Sequence, residues 1–157
     1  MRDIKFRAWD KYKKEMHIVS EMNWNIFSEE IEIISTGYKD NSCLAYNRNH
    51  SSEKCDIGAL EIMQYTGLKD EKENEIYEGD IIDFSYDMFV GNFDTFIAKG
   101  VVVFDEGAFY VELFENERTT KDEAYLLYGI NIDTIEVIGN IYDNPELLEK
   151  GAEDEQG

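Results

Sequence analysis

The chain is predicted to be mainly β with a short C-terminal helix, on three observations. Aromatic residues make up 13% of the 157 residues, ten of them Tyr and nine Phe, and such side chains favour a pleated, half-buried surface. Apolar and polar residues alternate with a period of two in several short stretches, which gives a strand one buried face. A single Pro and eleven Gly argue against a low-complexity or linker-rich chain. With 43% hydrophobic residues the chain can bury a core, either as one domain or as two small joined ones.

The elements follow in order. Ile4, Phe6 and Ala8 alternate with Lys5, Arg7 and Trp9, and a charged turn leads to Met16, Ile18 and Met22, so residues 3–20 read as a hairpin. Residues 30–36 alternate again. Residues 37–56 are polar and irregular and are expected to form a long loop. Residues 60–65 form a short strand closed by Thr66-Gly67, and residues 70–75 form a turn. Gly79-Asp80 is a sharp bend feeding a strand over 81–86, because glycine reaches backbone conformations that a Cβ forbids.

Residues 95–104 form a strand with Gly100 as a bulge or bend. The turn Asp105-Glu106-Gly107 and a return strand over 108–114 complete the clearest hairpin. A polar loop over 115–123 precedes strands over 124–128 and 135–142. Asn144 and Pro145 then start a short helix, with Asn144 as the cap, Pro145 at the first helical position and Glu146 complementing the dipole. Residues 151–157 form an acidic tail, expected to be disordered. The domain reading is residues 1–66, residues 67–150 and that tail.

The net charge is −20, which disfavours direct contact with nucleic-acid phosphates and anionic membranes. The charge is uneven. Residues 1–14 hold six basic and two acidic side chains and sum to +4, whereas the remainder sums to −24. A basic first hairpin lying against an acidic body is expected, with a head-to-tail contact between subunits as the alternative. Two cysteines are too few for a disulfide framework, and there is no signal-peptide pattern or long apolar run, so the expected compartment is a cytoplasm.

Cys43, His50 and Cys55, with His17 as a fourth ligand, lack the paired spacing of a zinc site. Residues 70–78 offer many oxygens but place Glu75 where a calcium loop needs glycine. No phosphate loop, nucleophile elbow or His-Glu-x-x-His motif is present. No catalytic residue, metal or cofactor is therefore assigned. Among the aromatic residues, Trp24, Phe27, Phe89, Phe93, Tyr110 and Tyr128 are candidates for a protein-binding patch.

Three segments carry a resemblance. They are Ile4-Lys5-Phe6-Arg7-Ala8-Trp9-Asp10, then Met63-Gln64-Tyr65-Thr66-Gly67-Leu68-Lys69-Asp70 with Glu75-Ile76-Tyr77-Glu78-Gly79-Asp80-Ile81-Ile82, and finally Glu136-Val137-Ile138-Gly139-Asn140-Ile141-Tyr142-Asp143-Asn144-Pro145-Glu146-Leu147-Leu148. In this order, and across nearly the whole chain, they resemble the YopX-like family of phage and prophage proteins. Asn25 to Glu61 departs most from that pattern.

The resemblance implies an SH3-like barrel in the C-terminal part, here over about residues 75–143, with the N-terminal strands packed on it. It implies no activity or cofactor, and the bacterial host cytoplasm as location. The signature residues Trp9, Gly67, Gly79, Asp80, Gly139, Asn140, Asn144 and Pro145 read as structural. The expected role is a non-catalytic accessory protein acting through a protein partner or self-association. Two alternatives are an acidic nucleic-acid mimic that inhibits a host protein and a metal-dependent hydrolase or nuclease using clustered carboxylates.

Overall fold

Two residues of positive φ, Glu106 at 47° and Gly107 at 86°, turn the chain between Asp105 and Ala108, which face each other across a hairpin. A two-residue loop with both central residues left-handed matches the right-handed twist of its flanking strands. The sequence therefore folds locally at this point, and the largest sheet is built around it. The computed structural model describes residues 3–25, 30–36, 43–46, 60–89, 93–114 and 124–149. It divides into two units, Asp3–Gln64 and one beginning at Tyr65.

In the first unit, β1 (Phe6–Asp10), β2 (Glu15–Asn25), β3 (Glu30–Thr36), β4 (Cys43–Tyr46) and the opening half of β5 (Leu60–Lys69) pair antiparallel in the order β4-β3-β2-β1-β5. The hairpin expected over residues 3–20 and the strand over 30–36 are present. β4 falls inside the stretch expected to be a loop. The rest of that stretch, residues 37–42 and 47–56, lies outside the described residues, as do the expected loop over 115–123 and the tail over 151–157.

In the second unit, the closing half of β5 pairs with β6 (Glu75–Tyr77). β7 (Asp80–Phe89), β8 (Phe93–Asp105), β9 (Ala108–Leu113), β10 (Ala124–Leu126) and β11 (Glu136–Asn140) form an antiparallel sheet in the order β10-β9-β8-β7-β11. Two 3-10 turns, Leu127–Gly129 and Ile132–Thr134, connect β10 to β11, and the helix α1 (Glu146–Glu149) follows. The strand expected over 124–128 therefore ends at Leu126 and tightens into the first of these turns. Among the described residues β10 and β11 are unpaired edges, so the sheet is open and the expected barrel is not closed.

Alternation decides which face is buried. Ile82 and Phe84 on β7, Ala98 and Val102 on β8, and Phe109, Val111 and Leu113 on β9 share the inner face, and each is at most 3% exposed. Ile76, Leu127 and Ile135 complete the core. Phe84, Tyr86 and Tyr125 close one end, with ring centroids 5.5–6.4 Å apart.

Two glycine expectations need correction. Gly100 is not a bulge, because the register runs unbroken through Ile82, Gly100 and Leu113. It is a point of close approach: a Cβ there would collide with the Glu112 carbonyl oxygen and lie 2.7 Å from Val111 Cγ1. Thr66-Gly67 does not end its strand, since β5 continues to Lys69 through a register shift between Tyr65 and Lys69. Gly67 supplies the φ of 89° there. The Thr66 hydroxyl bridges the shift, donating to the Ile76 carbonyl at 2.8 Å and accepting from the Leu68 amide at 3.1 Å.

Truncating Phe84 to Ala should cost about 3–5 kcal/mol in urea unfolding, as for other buried aromatics. Gly100→Ala should cost about 1–3 kcal/mol by overpacking against fixed backbone. Both should shift the denaturant midpoint with little change in slope.

Candidate functional site

Among the described residues four polar side chains are buried: Asp10, Thr66, Asp70 and Asp80. Each is bound to the backbone. Asp10 Oδ1 accepts from the Tyr12 and Lys13 amides at 2.8 and 2.9 Å, and Asp80 Oδ2 accepts from the Tyr77 amide at 2.7 Å. Asp70 does the most. Its Oδ1 accepts from the Lys72 and Asn74 amides at 2.9 and 2.8 Å, and its Oδ2 accepts from Asn74 Nδ2 at 3.0 Å and the Val137 amide at 3.1 Å. One carboxylate thus shapes the 70–74 turn and fastens it to β11. Burial pushes its pKa up, but the hydrogen bonds from Asn74, Val137 and Lys72 outweigh burial and hold it below 3.8.

The middle and closing signature segments meet here. The Glu71 amide donates to the Ile135 carbonyl at 3.0 Å, and Lys72 pairs with Glu136. Gly79, at φ 77°, donates to the Val102 carbonyl at 2.8 Å and accepts from the Ile141 amide at 3.0 Å. Asn140 Oδ1 accepts from the Tyr142 and Asp143 amides at 3.0 and 2.9 Å. Gly139 leaves room for Asn144, whose Oδ1 accepts from the Asn140 amide at 3.3 Å; a Cβ on Gly139 would lie 2.5 Å from that oxygen.

The expected helix cap is therefore corrected in part. The Asn144 side chain turns back to β11, and its backbone carbonyl receives the Leu147 amide at 3.0 Å. Pro145 directly precedes α1. Trp9 is buried in β1, opposite Met16 and Glu61, within the first unit. The structure thus joins Gly79, Asp80, Gly139, Asn140 and Asn144 around the β7–β11 pairing, with Gly67 in the β5 register shift and Trp9 elsewhere. Sequence reasoning missed Thr66 and Asp70, although the Thr-Gly-Leu-Lys-Asp run preceding a polar turn carried the signal.

Of Cys43, His50, Cys55 and His17, considered as zinc ligands, only the His17 side chain is among the described residues. Its Nε2 makes no hydrogen bond and lies 3.9 Å from Glu15. Among the described residues no three His, Cys, Asp or Glu side chains are grouped to hold a metal, and no helix is long and apolar enough to cross a membrane.

The outer face of the five-stranded sheet is different. In the β10-β9-β8 register Leu126 lies beside Tyr110 and Tyr110 beside Val103, with Glu112 beside Val101 in the next row. Leu126 is 46% exposed, and Val101, Val103 and Tyr110 are half-buried, so a small apolar band surrounds Glu112. Among the described residues Glu112 has no ion-pair partner. A charged row of Lys99, Asp83 and Glu136 crosses β8, β7 and β11 beside it. Burial raises the Asp83 pKa, Lys99 opposes the rise, and Glu136 adds to it.

Of the exposed aromatic candidates, Tyr128 is 51% exposed and donates its hydroxyl to the Thr66 carbonyl, while Tyr110 lies in the band. The side chains of Trp24, Phe27, Phe89 and Phe93 lie outside the described residues.

Asp70→Ala should cost about 2–3 kcal/mol by stranding amides that a charged acceptor satisfied. A carboxyl whose folded pKa lies below its unfolded one adds stability above the unfolded value and loses it as pH falls through the folded value. The gap between wild type and Asp70→Asn should therefore narrow below about pH 4 in acid titrations of Tm. Asp83 has the opposite sign, so its ionisation is a penalty at neutral pH. Asp83→Asn should raise stability at pH 7 by less than about 1 kcal/mol and change little near pH 3. Gly139→Ala and Asn144→Ala should each cost about 1–2 kcal/mol, and the double variant little more than either alone, because both lose the same contact.

The family model described as YopX protein matches residues 5–149. The crystal structure of protein EF1440 from Enterococcus faecalis is 27% identical, with a TM-score of 0.57 and coverage of 94% of this chain and 99% of that one. The crystal structure of protein yopX from Bacillus subtilis is 21% identical, with a TM-score of 0.55 and coverage of 92% and 95%. No curated protein sequence matches the chain. The match across residues 5–149 takes in all three signature segments, and the chain belongs to the YopX protein family.

Proposed function

We propose that this chain is a non-catalytic phage or prophage accessory protein that works by contact with another protein in the bacterial cytoplasm. The observation that carries the reading is the division of polar labour. The buried carboxylates Asp10, Asp70 and Asp80 are engaged by backbone amides, whereas the outer sheet face offers apolar surface around Glu112. Large apolar side chains rimmed by charge are what protein interfaces use.

The second unit reads as an SH3-like fold left open at one seam. Its strand order β10-β9-β8-β7-β11, with 3-10 turns before the last strand, supports that reading.

A second reading is an acidic decoy that occupies a basic nucleic-acid-binding cleft of a host protein, and the net charge of −20 favours it. Salt separates the two. Capture of a host protein by the decoy weakens steeply between low and moderate ionic strength, whereas capture by the apolar band changes little.

Affinity purification of the tagged full chain from a lysogenic host should retain a specific protein, and Leu126→Glu should release it. In a thermal-shift screen, magnesium, manganese, calcium and zinc should leave Tm unchanged. A cation that raised Tm by several degrees would count against the non-catalytic reading, since a ligand of the native state alone must stabilise it.

A further inference from the structure

We infer that the outer face of the five-stranded sheet receives the basic hairpin tip of a second copy of this chain, with Tyr12 on the apolar band and Lys13 and Lys14 toward Glu112. The inference rests on the reading that the chain acts by protein contact, and it names one partner.

The tip is a built feature. Between β1 and β2, Asp10 Oδ1 holds the Tyr12 and Lys13 amides, the Asp10 carbonyl accepts from the Lys14 amide at 2.7 Å, and Lys14 takes a φ of 55°. The turn is thereby fixed before it meets anything, which lowers the ordering cost of binding. It presents Tyr12 at 78% exposure. Lys11 pairs with Glu61, whereas among the described residues Lys13 and Lys14 have no ion-pair partner.

The tip therefore suits an apolar surface that carries carboxylate. The sheet face has that chemistry, with Val101, Val103, Tyr110 and Leu126 around Glu112 and the acidic Asp105-Glu106 turn at the end of β8. Each surface asks for what the other supplies. The +4 of residues 1–14 against −24 elsewhere makes a second copy the complementary partner, whereas an unrelated acidic protein would also be repelled by the body of the chain.

The test is a charge exchange read by sedimentation. At about 0.15 M salt the Debye length is about 8 Å, so the repulsion between two acidic bodies is screened while groups in contact still interact. The wild-type chain should show a weight-average mass that rises above the 18.3 kDa monomer with concentration. Lys13→Glu/Lys14→Glu and Glu112→Lys should each weaken association at least tenfold with Tm and circular dichroism unchanged. Mixed one to one, the two variants should associate again, because each then meets the opposite charge.

Tyr12→Ser, which leaves every charge in place, should also weaken association. The inference is overturned if the wild type stays monomeric, if the charge variants associate as it does, or if their mixture remains monomeric. A monomer that still captures a host protein refutes this contact alone. A self-associating chain that captures nothing refutes the host-partner reading alone.

Discussion

The carboxylate of Asp70 is where the second unit is tied together. A turn of five residues and an edge strand far along the chain both present backbone amides to one side chain, and that side chain answers them with both oxygens. A buried charge is costly unless hydrogen bonds replace its lost water. Here four donors do so, strongly enough to hold the group more acidic than an ordinary aspartate despite burial. The Glu71–Ile135 bond and the Lys72–Glu136 pair flank the same junction. Together with the β7–β11 ladder, this acid holds the edge strand next to Ile135 in place.

The same economy holds for the other buried carboxylates among the described residues. Asp10 and Asp70 gather backbone amides of the turns that follow them, and Asp80 accepts the Tyr77 amide just before it. The signature residues around them answer to geometry. Gly67 and Gly79 need left-handed backbone, while Gly139 must lack a Cβ so that Asn144 can reach Asn140. These residues are thereby accounted for by the turns and strand contacts they build.

Much of this was legible in the sequence because it is local. Alternation in residues 4–9 and the Asp105-Glu106-Gly107 turn announce their hairpins, and Gly79-Asp80 announces its bend, because the residues that decide are neighbours. What was not legible depends on partners distant in the chain. Gly100 reads as a bulge until Glu112 is placed against it. Thr66-Gly67 reads as a strand end until Ile76 receives the threonine hydroxyl. Asn144 reads as a helix cap until β11 claims its side chain. The apolar band is harder still: Val101, Val103, Tyr110 and Leu126 lie on three strands, and no single stretch shows that they share a face.

The turn at Glu106 and Gly107 has a kinetic corollary. A hairpin of nearest neighbours with a well-matched two-residue loop forms within microseconds, so β8 and β9 are ready at the outset of folding. The β7–β11 pairing joins residues such as Ile82 and Val137, roughly 55 positions apart, and must wait for a large loop to close. The Asp70 clasp on β11 is then expected to form late in folding. An interaction of that kind governs how slowly the native state comes apart and leaves the speed of its formation nearly untouched. Loss of the Asp70 carboxylate is accordingly expected to act more on how fast this protein unfolds than on how fast it folds.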